Sequence, residues 1–271
     1  MTDWAAIIAG DFAVPAGGAE SVLAELIEGL AAPDPVVRDE QVYPVLATWI
    51  VRGELDGLLA EVGDRAVGML RHPEVQARTF AVLILACAVN RDNTAGVLDD
   101  LTVRRWRDAF VDWYLAEKEL RGWDPKLGWL HAVAHGADAL DEFGVSPRLG
   151  GADLVRLLDV AVTRLTTPTD YLFAHQEDDR LAYAVTRLLS RPELSAADAV
   201  GWLATVRRLF DAGEPGPVPS QVSNTIRTLR CLYVMVDRGV RADDAVLRPA
   251  HHTEILAAVG DALAMVFPAQ A

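Results

Sequence analysis

Apolar positions recur at helical spacing along nearly the whole chain. Val22, Leu23, Leu26, Ile27 and Leu30 fall on one face of a 3.6-residue period, and Val155, Leu158, Val162 and Leu165 do the same further on. No stretch alternates apolar and polar residues for long enough to demand a strand. Turn chemistry breaks the pattern at Ala32-Pro33-Asp34-Pro35, His72-Pro73, Arg91-Asp92-Asn93, Asp124-Pro125, Val145-Ser146-Pro147, Arg191-Pro192 and Gly213-Glu214-Pro215-Gly216-Pro217. Asp34-Pro35, His72-Pro73 and Asp124-Pro125 each predict a helix that starts at the proline, where its missing N–H would have no partner anyway. Ser195 with Asp198 predicts a capping box with Asp in place of Glu. The reading is an all-α fold of about eleven helices, joined by short turns into antiparallel hairpins.

A weak repeat refines that expectation. Asp34-Pro35-Val36-Val37-Arg38 opens a helix running to Ile50, and His72-Pro73-Glu74-Val75-Gln76 opens one running to Val89. The two prolines lie 38 residues apart, near the ~40-residue period of HEAT-type helix pairs. The period is lost past residue 90, so the expected arrangement is a distorted, HEAT-like curved α-α superhelix. Pro44 is expected to kink the first of these helices. Residues 1–271 read as a single helical domain, with Gly213 to Pro219 as the best candidate for a linker or one long loop.

Composition narrows the class of function. Apolar residues make up 51% of the chain and prolines number only 14, enough for a large core. With 25 basic against 39 acidic residues the net charge is −14. Such a surface repels phosphate backbones and anionic lipid, so neither nucleic acid nor membrane is an expected partner. The start, Met1-Thr2-Asp3-Trp4, lacks the basic-then-apolar pattern of a signal peptide. The longest apolar run, Phe80 to Val89, has ten residues and is too short to span a bilayer. Cys87 and Cys231 sit in apolar helical patterns and read as buried thiols rather than a disulfide. The expected location is cytoplasmic.

The most informative segment is Gly128-Trp129-Leu130-His131-Ala132-Val133-Ala134-His135-Gly136-Ala137-Asp138, read as part of a helix around residues 126–143. At about 100° per residue, His131, His135, Asp138 and Glu142 project within roughly 60° of one another, beside a core-facing apolar stripe. Two histidines four apart on a helix can reach one metal ion, as in the His-Glu-x-x-His metalloproteases. Ala132 stands where those have Glu, so a general base would have to come from elsewhere. Asp138 would be a third ligand or would orient a histidine. The competing reading is a hydrogen-bond network that only ties helices together.

Phe173-Ala174-His175-Gln176-Glu177-Asp178-Asp179-Arg180 leads into another helix. The three carboxylates suit a first helical turn, where the helix dipole favours negative charge. If this loop folds over the His131–His135 face, His175 completes a metal site and Glu177 or Asp178 acts as general base. Four of the seven tryptophans, Trp106, Trp113, Trp123 and Trp129, lie within 24 residues. They read as core packing or as the aromatic wall of a ligand pocket, with Trp123 and Trp129 on the wall and Arg121 as an anion contact. Asn224, Arg227 and Arg230, three apart on one helix, form a weaker candidate for a groove face.

The run Glu119-Leu120-Arg121-Gly122-Trp123, followed by Gly128-Trp129-x-His131-Ala132-x-Ala134-His135-x-Ala137-Asp138, resembles the signature of an uncharacterised bacterial domain-of-unknown-function family. Members are similar also at Glu177-Asp178-x-Arg180-Leu181, and the resemblance covers roughly residues 35 to 240. It implies a helical-repeat fold and brings no established activity. Two functions therefore stand as expectations. One is a metal-dependent enzyme of hydrolase or lyase type acting on a small polar molecule in an inter-helix groove, with zinc or iron suited to imidazole and carboxylate ligands. The other is a non-catalytic scaffold whose concave face holds a protein partner.

Overall fold

The apolar run Phe80 to Val89 becomes the centre of a helical unit. It lies in α5 (Val75–Ala95), whose central run is apolar on every side and which is buried along most of its length, as a helix wrapped by others must be. The computed structural model describes residues 2–242 and 244–267. Backbone contacts divide the chain into two compact units, Met1–Arg148 and Leu149–Ala271. The first carries α1 (Trp4–Ala9), α2 (Leu23–Gly29), α3 (Tyr43–Arg52), α4 (Leu59–Met69), α5, α6 (Asp100–Ala116) and α7 (Ala132–Val145). The second carries α8 (Gly151–Thr166), α9 (Glu177–Leu189), α10 (Ala196–Gly201), α11 (Leu203–Asp211), α12 (Ser220–Arg238) and α13 (His252–Ala264). Strands amount to two antiparallel hairpins, β1 (Trp123–Asp124) with β2 (Gly128–Trp129) and β3 (Val240–Ala242) with β4 (Ala245–Leu247). The protein is all-α, and no helix among the described residues is long and apolar enough to cross a membrane.

In the first unit α5 packs against α3, α4 and α7. Close approach is bought by glycine: a Cβ on Gly63 would stand 2.1 Å from the Trp106 ring, and one on Gly136 would stand 2.1 Å from Tyr114. Trp106, Phe110 and Trp113 are buried together, and Trp106 Nε1 donates to Asp64 at 2.6 Å. In the second unit α12 packs along α9 and also touches α8 and α13. The loop 213–219 lies inside this unit, joining α11 to α12. Ser195 and Asp198 form the expected capping box at the start of α10.

Several boundaries differ from the sequence reading. Asp34 Oδ1 accepts the Val36 N–H at 2.9 Å, as a cap should, but residues Val36–Val42 form a π-helical segment before α3. Pro44 sits in the first turn of α3, where its missing donor costs little, rather than in the middle of a helix. After His72-Pro73 the helix begins two residues later than expected, and His72 Nδ1 accepts the Glu74 N–H at 3.1 Å. Asp124-Pro125 starts no helix at all. Its carboxylate accepts the N–H groups of Lys126 and Leu127 at 2.8 and 3.0 Å, making the turn between β1 and β2, so the helix expected from residue 126 starts at Ala132.

Buried charge organises the first unit. The Arg38 guanidinium is fully buried, ion-paired to Asp39 at 2.7 Å and 4.7 Å over the Phe80 ring. It donates to Ala32 O at 2.8 Å and to Leu127 O, which ties the β1–β2 hairpin to the π segment. Burial lowers the Arg38 pKa and raises that of Asp39, against the pull of each on the other. Replacing Arg38 with Ala leaves Asp39 without its cation and should cost about 3–5 kcal/mol, measured by urea denaturation.

Glu117, at the end of α6, is the second such charge. It takes two hydrogen bonds from Arg78, at 2.7 and 3.0 Å, one from Trp113 Nε1 at 3.2 Å, and the N–H groups of Lys118 and Glu119 at 3.0 Å each. Burial pushes its carboxyl up, but the Arg78 guanidinium and these N–H donors outweigh that and hold it below the ordinary value of 4.5. A depressed carboxyl stabilises the fold above its unfolded pKa, and the contribution disappears as pH falls through the folded one. A Glu117→Gln variant should therefore be less stable than the parent at neutral pH, with the difference shrinking on acidification below 4.5. Denaturation curves across that range provide the check.

Candidate functional site

In the first unit the hairpin delivers His131 to the start of α7. Leu130 and His131 both donate to Gly122 O, at 2.9 and 3.2 Å. Gly128 holds φ +72°, and a Cβ there would meet Pro35 Cβ at 2.8 Å, so the turn needs glycine. His131 is the N-cap of α7 with a left-handed backbone, φ 45°. A non-glycine residue in that conformation costs on the order of 1–3 kcal/mol and is held by its surroundings. Its ring is buried against Trp129 at 4.3 Å between centroids, and Trp129 meets Trp123 edge to face at 4.8 Å. The two indoles are 39% and 45% exposed, an aromatic face open to solvent beside an imidazole.

His135 has a different environment. Its Nδ1 lies 3.2 Å from Thr79 O and its ring stands edge-on to Phe80 at 5.4 Å, so the side chain is turned into α5. The rings of His131 and His135 are 5.4 Å apart at 65°. Among the described residues, His131, His135 and Asp138 do not form a group whose ligand atoms lie within 4.8 Å of one another. The reason is local. His131 stands at the cap with a left-handed backbone, so it does not share the helical face that the i, i+4 spacing supposed. Arg121, expected as an anion contact, spends its guanidinium on Glu119 at 2.7 and 2.9 Å and on Asp124 at 2.8 Å.

In the second unit the loop 171–176 and the first turn of α9 build a relay. Glu177 is fully buried. Its Oε1 accepts the Tyr171 hydroxyl at 3.0 Å and its Oε2 accepts the His175 N–H at 2.7 Å. Tyr171 Oη also lies 3.1 Å from His175 Nδ1. The one phenolic proton goes to Glu177, so the phenol oxygen can accept from His175 in the tautomer that carries its proton on Nδ1. In that tautomer Nε2 is the unprotonated nitrogen, the form that binds a metal. No lysine or arginine pairs with Glu177 among the described residues; its nearest cationic candidate is His175 itself, 4.0 Å away.

Asp178 does separate work. It is paired with Arg227 at 3.0 Å, and Arg227 also donates to Phe173 O at 2.7 Å. Asn224 is buried, accepts the Phe173 N–H at 2.9 Å and donates to Tyr171 O at 3.0 Å. The polar spacing on α12 is thus a splint for the 171–178 loop, and Arg230 instead stacks on Phe267 at 4.6 Å. Gln176, between His175 and Glu177, is again left-handed at φ 66°. Tyr171 had no sequence signal, since its partner lies six residues on and across a turn. Cys87 and Cys231 offer no thiolate: burial pushes both thiols up to about 12.

These features define an all-α protein with an imidazole–phenol–carboxylate relay at a helix start and an aromatic-flanked histidine at another. The chain belongs to the DUF2785 family, described as a protein of unknown function, whose model matches residues 66–234. That span contains every candidate site residue and is narrower than the resemblance suggested. No curated protein and no solved structure matches the chain.

Replacing Asn224 with Ala should leave the buried Phe173 N–H without its acceptor. The expected loss is roughly 1–3 kcal/mol of stability, measured by denaturant unfolding.

Proposed function

We propose that the chain binds one divalent transition metal, zinc or iron, through His175 and Glu177 of the second unit, and uses it in hydrolase- or lyase-type chemistry on a small polar molecule. The observation that carries this reading is Glu177: a carboxylate with no exposed surface, no arginine or lysine partner among the described residues, and an imidazole beside it. A buried carboxylate without a cation is costly, and a metal ion supplies one. Imidazole and carboxylate together suit zinc or iron better than magnesium. A metal whose shell the protein leaves incomplete keeps a position for water, whose pKa it lowers toward neutrality.

Each residue has a distinct part. His175 ligates through Nε2 while Tyr171 fixes its tautomer from the other side. Glu177 brings charge. Asp178 holds the loop through Arg227.

Elemental analysis of protein purified without a histidine tag should find close to one equivalent of zinc or iron. His175→Ala and Glu177→Gln should abolish it. Tyr171→Phe should weaken it about 10–100-fold, as loss of an outer partner does. Absence of metal, together with an unchanged melting temperature on adding zinc, iron(II) or chelator, would overturn the reading.

A further inference from the structure

A groove of about 660 Å³ opens on the first unit, lined by the end of α4, the start of α5 and the outer side of α6. None of the residues placed at the candidate metal centre lines it. Its size falls in the range of small-molecule sites. Trp113 and Leu70, both buried, provide apolar walls, and Gly68, Ala109 and Ala116 keep the space clear by lacking bulk.

The charges of this groove sort into two sets. Arg78 and Glu117 cancel through their two-pronged pair. Arg71, Lys118 and Asp112 also line the groove, and among the described residues none of these three side chains has an ion-pair or hydrogen-bond partner. The balance is one net positive charge beside an apolar wall, in a chain whose net charge is −14. Lys118 is one of only two lysines in the sequence, and it stands here.

We propose that this groove binds an amphipathic carboxylate, a small molecule whose apolar body lies on Trp113 and Leu70 and whose anionic end is held by Arg71 and Lys118. Apolar burial supplies non-directional attraction, and two cations on one acceptor add charge-assisted hydrogen bonds that an uncharged analogue lacks. The site is independent of any metal.

Titration calorimetry on the full chain tests it with three probes: octanoate, 1-octanol and inorganic phosphate. Octanoate should bind at least about tenfold more tightly than either of the others, because each lacks one half of the recognition. Arg71→Ala combined with Lys118→Ala should bring octanoate down to the level of octanol. Gly68→Met should block binding while leaving the melting temperature unchanged or raised. A side chain at Gly68 meets nothing within 4 Å, and methionine favours the helix more than glycine does. Chelator should change none of this. Octanol or phosphate binding as tightly as octanoate, an unaffected Gly68→Met variant, or no octanoate binding at millimolar concentration would each overturn the assignment.

Discussion

A charge removed from water must be answered where it lies, and the local architecture of this protein follows from how a few such charges are answered. Arg38 has no exposed surface, so it takes Asp39, two backbone carbonyls and an aromatic face. One of those carbonyls belongs to Leu127, in the turn of the β1–β2 hairpin. The guanidinium thereby sets where Trp129 and His131 stand. Glu117 does the same for the end of α6 by gathering Arg78 and three N–H donors.

Glu177 is the case that is answered least. Its partners are a phenol, a backbone N–H and an imidazole, none of them a permanent cation. Arg227, the nearby arginine of α12, goes to Asp178 instead. The loop around it is nevertheless held firmly, because Asn224 satisfies backbone groups of Tyr171 and Phe173 on the same stretch. A rigid loop around an under-compensated carboxylate is the arrangement expected of a group waiting for a ligand, which is why the metal reading rests there rather than on the paired histidines.

Both candidate histidines belong to helix starts where a non-glycine residue takes a left-handed conformation, His131 itself and Gln176 next to His175. Strain of this kind survives only where neighbouring contacts determine it. At His131 those contacts are the aromatic rings of Trp129 and His135. At Gln176 it is the hydrogen bond from the His175 N–H to Glu177 across it.

Helical period, turn chemistry and capping are local properties, so the all-α fold, the Ser195 capping box and the buried run in α5 were legible in the residues alone. So was the concentration of chemistry around residues 131 and 177, since those residue types are uncommon in helix cores. Local pattern misled where a neighbour distant in sequence decided the outcome. Asp124-Pro125 has the form of a helix start, yet Arg38, nearly ninety residues earlier, holds the turn after it as a hairpin. His131 and His135 have ligand spacing, yet Thr79 and Phe80 claim one ring and the hairpin displaces the other. Periodicity records which face of a helix is apolar. Only the packed structure decides which buried polar groups meet, because that depends on partners brought together by folding rather than by order along the chain.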